Sequence, residues 1–286
     1  MTAGGSFVMG AVAYDAKVVT IWDGFRAWFR GHDLDFDYVL YSNYERQVDD
    51  LVAGRIAAAW NSPLAWVRAR RAAVAAGRDV RALVMRDTDQ DLTSVVVVRA
   101  DSDVAAPADL KGRTVATGAV DSPQATLLPL AHLRSLGLDT GDVEVRRYDV
   151  GVGLHGDHVG GERDAARALA AGEVDAACMI DGNHLVFTRE GTLAPGASRV
   201  LAQTEPYDHC NMTVTDAAPA EVVERFGDLL LSMSYADPLV RPLLDLEGLT
   251  AWRPGRTSGY AALEAAVDET RFYDDHGEVI AADYRP

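Results

Sequence analysis

Apolar positions along the chain follow two alternating rhythms. Residues 6–13 are a nearly unbroken apolar run, the pattern of a strand covered on both faces, and residues 17–30 then place apolar side chains every three to four positions. The second pattern is that of a helix. The same pair recurs in 36–41 and 44–53, the latter stopping at Gly54. A third strand, 56–60, breaks at Asn61-Ser62-Pro63, which opens a helix through Ala76. This β-α-β-α-β-α order predicts a doubly wound α/β sheet.

Two further strands are predicted at 80–85 and 94–99, across a polar turn at 87–91. Four consecutive valines, 95–98, suit a strand buried on both faces. A second α/β series follows a short helix at 106–110. It runs through strand 113–117, a helix opening at Ser122, strand 143–148, a Gly/His-rich loop, helix 162–171, and strands 174–180 and 200–204. Residues 211–214 read as a return strand, and helices at 219–233, 238–246 and 260–272 close the chain. Two α/β units result, one discontinuous (1–97 plus 211–286) and one inserted (98–210, with the Gly/His-rich loop).

The stretch 111–130 is the focus of this pattern. A short strand meets the turn 118–121, Ser122 stands at a helix cap, and Pro123 takes the first helical position. Backbone N–H groups at such an end attract an anion or a polar ligand head.

The chain has 286 residues with 27 basic and 43 acidic side chains, a formal charge of −16. That balance points away from general attraction to nucleic acid or to an anionic membrane surface, and neither is expected as a partner. No apolar run reaches membrane-spanning length, so no membrane insertion is expected, and residues 1–14 lack the basic and apolar regions of a signal peptide. The sequence as written reads as cytoplasmic, or as extracytoplasmic if it is a trimmed mature form. Cys178 and Cys210 read as two reduced thiols.

Four histidines, His155, His158, His184 and His209, fall in predicted loops of or beside the second unit. With Asp181 and Cys210 they offer donors for zinc or iron, but their spacing matches no strong motif. No cofactor or metal ligand set is predicted, and a metal is left open. Asp208-His209-Cys210-Asn211 places a thiol beside an imidazole, the pairing that activates a nucleophile. Neighbours on an extended chain point to opposite faces, so Cys210 is expected to need His158 or His184 rather than His209. Residues 151–156 spell G-x-G-x-x-G after a strand, yet no helix opens at the third glycine, which favours a loop over a cleft to a dinucleotide cradle. Arg68, Arg70, Arg71, Arg78 and Arg81 read as a solvated helix face balancing the acidic 35–50 region. Trp22, Trp28, Trp60 and Trp66 read as core, with Trp60 a candidate cleft wall.

The segments LVAGRIAAAWNSPLAWV (51–67), SVVVVRADSDVAAPADLKGRTVATGAVDSPQATLLPLAHLRSLGL (94–138) and ALAAGEVDAACM (168–179) resemble the type 2 periplasmic-binding-protein fold. A weaker echo lies in 237–263. The likeness is to the phosphate/phosphite/phosphonate branch of ABC-transporter solute receptors. It implies two α/β lobes joined by crossing strands, Venus-flytrap fashion, with a ligand between them. Carried over by position, Asn61 and Ser62 face the cleft from the first lobe. Ser122, Gln124, Ala125 and Thr126 face it from the second, Asp181 and Asn183 follow a strand that ends at the ligand, and Tyr207 lies near the return crossing. Tyr14, closing the first strand, completes the candidate set. The chain departs from the family where Ser122-Pro123-Gln124-Ala125 replaces a hydroxyl- and glycine-rich turn.

Two functions follow. One is a solute-binding protein that closes on a small polar or anionic molecule of the phosphonate-like oxyanion class, partnered by an ABC permease if exported. The other is a cytoplasmic enzyme, of lyase or hydrolase type, that reuses the cleft with His158, His184, His209 or Cys210 as acid/base or nucleophile.

Overall fold

The computed structural model describes residues 6–155 and 159–286. The first lobe opens with β1 (Phe7–Val12), α1 (Lys17–Arg30), β2 (Phe36–Tyr41), α2 (Tyr44–Val52), β3 (Ala58–Asn61), α3 (Pro63–Ala75) and β4 (Val80–Arg86). The second lobe holds β5 (Ser94–Arg99), β6 (Thr114–Thr117), α4 (Leu128–Ser135), β7 (Glu144–Arg147), α5 (Val159–Ala171), β8 (Ala176–Ile180), α6 (Asp181–Glu190) and β9 (Ser198–Gln203). The chain then returns through β10 (Asn211–Thr215), α7 (Ala220–Ser232), α8 (Arg241–Glu247), β11 (Trp252–Pro254) and α9 (Ala261–Thr270).

Among the described residues the first sheet has the order β11-β4-β10-β3-β1-β2 and the second β7-β6-β8-β5-β9. β1 runs parallel to β2 and β3, while the return strand β10 is antiparallel to both β3 and β4. The second sheet repeats the scheme, with β6 parallel to β7 and β8, and β5 antiparallel to β8 and β9.

This topology moves one expected boundary. All of β5 pairs in the second sheet, so a division at 97/98 would cut a strand; the chain changes sheet between Arg86 and Ser94. It returns between Gln203 and Asn211, and the two crossing segments exchange backbone hydrogen bonds at Leu92 and Tyr207, 2.8 Å each. The valine run explains why β5 sits inside. Val95 and Val97 feed one apolar cluster and Val96 and Val98 another, the alternation of a strand packed on both faces.

α1 ends where its apolar stripe does, with Val18, Ile21, Trp22, Phe25 and Phe29 buried against the first sheet. α6 departs from the pattern. The segment bearing Asp181, Asn183 and His184 is a helix, not a loop, and Phe187 is its one fully buried side chain among the described residues. The basic run also needs correcting. Arg68 is buried, donating to the Glu45 carbonyl at 2.8 Å and pairing with Asp49 at 2.8 Å, so it ties α3 to α2 rather than facing water.

The lobes share a core. Leu64 and Trp66 of α3, Val120, Leu127 and Leu128 of the second lobe, and Tyr260, Leu263, Phe272, Tyr273 and Tyr284 of the C-terminal segment form one apolar cluster. Each fully buried aromatic there contributes about 2 kcal/mol by area alone. Ion pairs Arg147–Asp283 at 2.5 Å and Arg134–Glu269 fasten the second lobe to the same segment.

Candidate functional site

Two helix starts bring the sequence-predicted residues to the junction of the lobes. Ser62 caps α3, its Oγ accepting the Ala65 N–H at 3.1 Å, with Pro63 at the first helical position. Ser122 caps a π-helical turn, Pro123–Leu127, that leads into α4; its Oγ accepts the Ala125 N–H at 3.2 Å.

The π geometry changes what the second start offers. The N–H groups of Thr126 and Leu127 both bond the Ser122 carbonyl, and the Thr126 hydroxyl bonds the Ala119 carbonyl at 2.8 Å. The amides of Ala125, Thr126 and Leu127 are thus consumed within the turn instead of forming an outward row of donors. A carboxylate stands in front of them. Asp121 is buried, and its Oδ2 accepts the N–H groups of Gly153 at 2.8 Å and His155 at 3.0 Å. Burial pushes its pKa up, partly offset by His155 and these amides.

Asn61, at the end of β3, is wholly buried and fixed in a side-chain lattice. Its Oδ1 accepts from Gln47 at 2.8 Å and its Nδ2 donates to Thr213 at 2.9 Å; Thr213 donates to Asn211, and Asn211 to the Tyr260 hydroxyl. Ser62 is engaged a second time, by the His155 Nδ1 at 2.6 Å.

A second group gathers around Glu162, in the first turn of α5. Its buried carboxylate accepts the Ile180 N–H at 3.0 Å, Asn183 Nδ2 at 2.8 Å and Gln124 Nε2 at 3.4 Å, and burial raises its pKa. Ser94 Oγ donates to the Gln124 carbonyl at 2.6 Å and meets the Tyr207 hydroxyl at 2.8 Å, and Asp181 accepts from Thr93 at 2.9 Å. Burial drives the Tyr207 phenol well above its ordinary range, so it stays neutral. Gln124, Asp181, Asn183 and Tyr207 therefore lie together, and Asp181 and Asn183 stay partly exposed. Tyr14 closes β1, half-buried, with the Lys17 ammonium 5.6 Å from its ring centroid.

Sequence reading missed Glu45, Asp121 and Glu162. The signal was faint: each is a single acid at or just before a helix start, where acids are common for dipole reasons alone.

The chemistry-bearing cluster differs from expectation in its pairing. Cys210 Sγ lies 3.1 Å from the Nδ1 of its own neighbour His209, because residues 208–210 precede β10 and do not follow its alternation. His184 is elsewhere, bonded to Ser198 at the far end of β9, and burial lowers its pKa. His158 lies outside the described residues.

Asp89, His209 and Cys210 hold potential metal-donor atoms within 4.8 Å of one another, all buried. Arg86 argues against an ion there. Its Nε and Nη2 take both Asp89 oxygens, at 2.6 and 2.8 Å, and drive that carboxyl down to about 2 despite burial; a guanidinium in place already supplies the positive charge. The same guanidinium lies 5.3 Å from the Trp60 ring, which stacks edge-on to Trp252 in the first-lobe core. Residues 151–155 of the glycine motif turn back over α2, with the Tyr44 N–H bonded to the Gly153 carbonyl at 3.3 Å; Gly156, the motif's third glycine, lies outside the described residues.

Two α/β lobes, a doubled crossing and facing helix starts define a two-lobed binding protein. The chain belongs to the family of phosphonate periplasmic substrate-binding proteins of ABC transporters, whose model matches residues 9–260. Solved structures agree in fold. PhnD1 from Prochlorococcus marinus in complex with methylphosphonate is 15% identical, covering 93% of this chain and 98% of that one, with a TM-score of 0.70. XAC2383 from Xanthomonas citri bound to ATP is 18% identical over 96% and 100%, TM-score 0.70. The periplasmic aliphatic sulphonate-binding protein SsuA from Escherichia coli is 20% identical over 94% of each chain, TM-score 0.57. No curated protein matches the chain.

These findings support the solute-binding reading over the enzyme. The family is periplasmic by description, which lends no support to a cytoplasmic place. Among the described residues no helix is long and apolar enough to cross a membrane.

Proposed function

We propose that the chain is the extracytoplasmic receptor of an ABC importer and closes on one small molecule carrying an ammonium or other hydrogen-bond donor beside an oxyanion. The family match and the two lobes support the receptor role and an ABC permease as partner. Methylphosphonate in the Prochlorococcus protein, and the sulphonates named for the Escherichia coli one, supply the oxyanion class.

The acidic setting of the Ser122 turn carries the ligand proposal. Asp121 precedes that turn, Glu162 bonds its Gln124, and Asp181 lies at the head of α6 beside Asn183. Two like charges about 4 Å apart repel by about 4 kcal/mol at an effective dielectric of 20, so a bare dianion is disfavoured there. An ammonium group reverses the sign. In this reading Tyr14, Asn61 and Ser62 approach from the first lobe, and Gln124, Asp181, Asn183 and Tyr207 from the second.

Calorimetric titration with methylphosphonate, methanesulfonate and 2-aminoethylphosphonate tests it. The amino compound is expected to bind at least tenfold more tightly, about 1.4 kcal/mol. Equal affinities remove the charge argument, and no heat with any of the three removes the oxyanion class.

A further inference from the structure

We infer that His155 is the bolt of a clasp between the lobes, seated in a socket built by the first lobe and the C-terminal segment, and that this clasp sets how long the lobes stay closed. The inference does not depend on which molecule the protein binds.

The socket is assembled from three separate parts of the chain. Glu45 comes from α2, Ser62 from the cap of α3, and Tyr273 and Tyr284 from the segment after α9. His155 enters from the second lobe. Its Nδ1 meets Ser62 Oγ at 2.6 Å, its Nε2 meets Glu45 Oε1 at 3.1 Å, and its ring stacks on Tyr44 with centroids 4.6 Å apart. The two tyrosine hydroxyls donate to the same Glu45 oxygen, at 2.8 and 2.9 Å. The imidazole is 1% exposed.

The backbone is arranged to deliver that ring. His155 itself has φ +52°, in the left-handed region, and Gly151 and Gly153 before it have φ +79° and +85°. A non-glycine residue holds such a conformation only where its surroundings over-determine it. Here they do so from both lobes. Asp121 of the second lobe takes the Gly153 and His155 N–H groups, Tyr44 of the first donates to the Gly153 carbonyl, and Leu154 packs onto the first-lobe cluster containing Tyr44, Val48 and Ile56.

Separating the lobes draws His155 and Leu154 out of the first lobe, leaving Glu45 with the Tyr273 and Tyr284 hydroxyls but without the imidazole. These contacts therefore count toward the closed form alone. The His155–Glu45 contact shifts the closed population through the lobes themselves, and apparent affinity scales with that population.

Small-angle X-ray scattering and amide hydrogen exchange on the ligand-free full chain test the clasp. The wild type is expected near the radius of gyration of a compact chain of this length, about 19 Å. His155→Ala and Glu45→Gln are each expected to raise it, and to speed exchange roughly tenfold or more on both lobe faces of the junction, at Tyr44 and along the Ser122 turn. Tyr284→Phe, which removes one hydroxyl and keeps the packing, is expected to act in the same direction and more weakly. Cooperative thermal unfolding of each variant shows that it has folded. Unchanged scattering with faster exchange confined to 149–155 would reduce His155 to a loop-packing residue and overturn the inference, as would unchanged scattering and exchange.

Discussion

Arg86 grips Asp89 at both carboxylate oxygens, Nε to Oδ2 at 2.6 Å and Nη2 to Oδ1 at 2.8 Å, on the segment where the chain first crosses between lobes. Glu247 adds its backbone carbonyl at 2.9 Å to the same guanidinium, and the Cys210 N–H adds to Asp89 at 3.2 Å. The pair thus joins β4, α8 and the return crossing. Breaking a buried pair from one side leaves an uncompensated charge, and Arg86→Met is expected to cost about 3–5 kcal/mol. Arg55→Ala, which removes an exposed pair to Asp50 of comparable length, is expected to cost about 1 kcal/mol or less. Urea denaturation of the two variants side by side checks the contrast; equal midpoints would show that the crossing does not depend on this pair.

Glu162 is the residue whose neutralisation should change binding in a stated direction. Glu162→Gln keeps an acceptor for Asn183 and the Ile180 amide but removes the negative charge beside the Ser122 turn. Methylphosphonate affinity is expected to rise about tenfold, about 1.4 kcal/mol. An unchanged or weaker affinity, measured by calorimetry, would place Glu162 outside the ligand's field.

The buried acids act on stability with opposite signs as pH changes. Glu45 is drawn down to about 2: burial opposes its charge, and His155 with the Tyr273 and Tyr284 hydroxyls outweighs that. Its contribution is fully present above the ordinary value of 4.5 and is lost as pH falls from there toward 2, a change on the order of 3 kcal/mol. Asp121 and Glu162 are raised, so their contribution is present at low pH and declines as pH climbs through their folded values. Stability curves between pH 2.5 and 5 should therefore flatten in Glu45→Gln, while Glu162→Gln should gain relative to wild type near neutrality. A Glu45→Gln curve parallel to wild type over that range would contradict the assignment.

Most of the architecture was legible because burial and periodicity agree in it. The limits of α1 follow from Val18, Ile21, Trp22, Phe25 and Phe29, and the place of β5 inside a sheet follows from four valines that serve two faces. α6 was not legible. Leu185 and Val186 point to solvent, so its pattern carries no apolar stripe. The cap at Ser122 and the helix opening at 61–63 obey local rules and are legible; that Ser62 itself is the cap is seen only in the structure. What those caps bond to is set by partners far along the chain: Ser62 meets His155 across 93 positions, and Glu45 meets Tyr284 across 239. Arg68 shows the same limit, since a basic run reads as a solvated face until Glu45 and Asp49 are seen beneath it. His209 and Cys210 were assigned opposite faces by a strand rule that their backbone does not follow.

The two thiols give a direct measure of how tightly the crossing is sealed. Cys178 lies inside β8 with no exposure, and burial together with Glu162 pushes its thiol up to about 12. Cys210 is 1% exposed, beside His209 and below the Arg86–Asp89 pair. Only a thiolate that solvent can reach attacks a disulfide reagent at speed. Ellman's reagent is therefore expected to titrate neither cysteine rapidly in the native protein, and both after unfolding in guanidinium. Arg86→Met should expose Cys210 first, because the Cys210 N–H is held by Asp89, the carboxylate that Arg86 grips. Rapid native reaction at Cys210 in the wild type would mean that the crossing opens freely, and would restore its thiol as a candidate nucleophile.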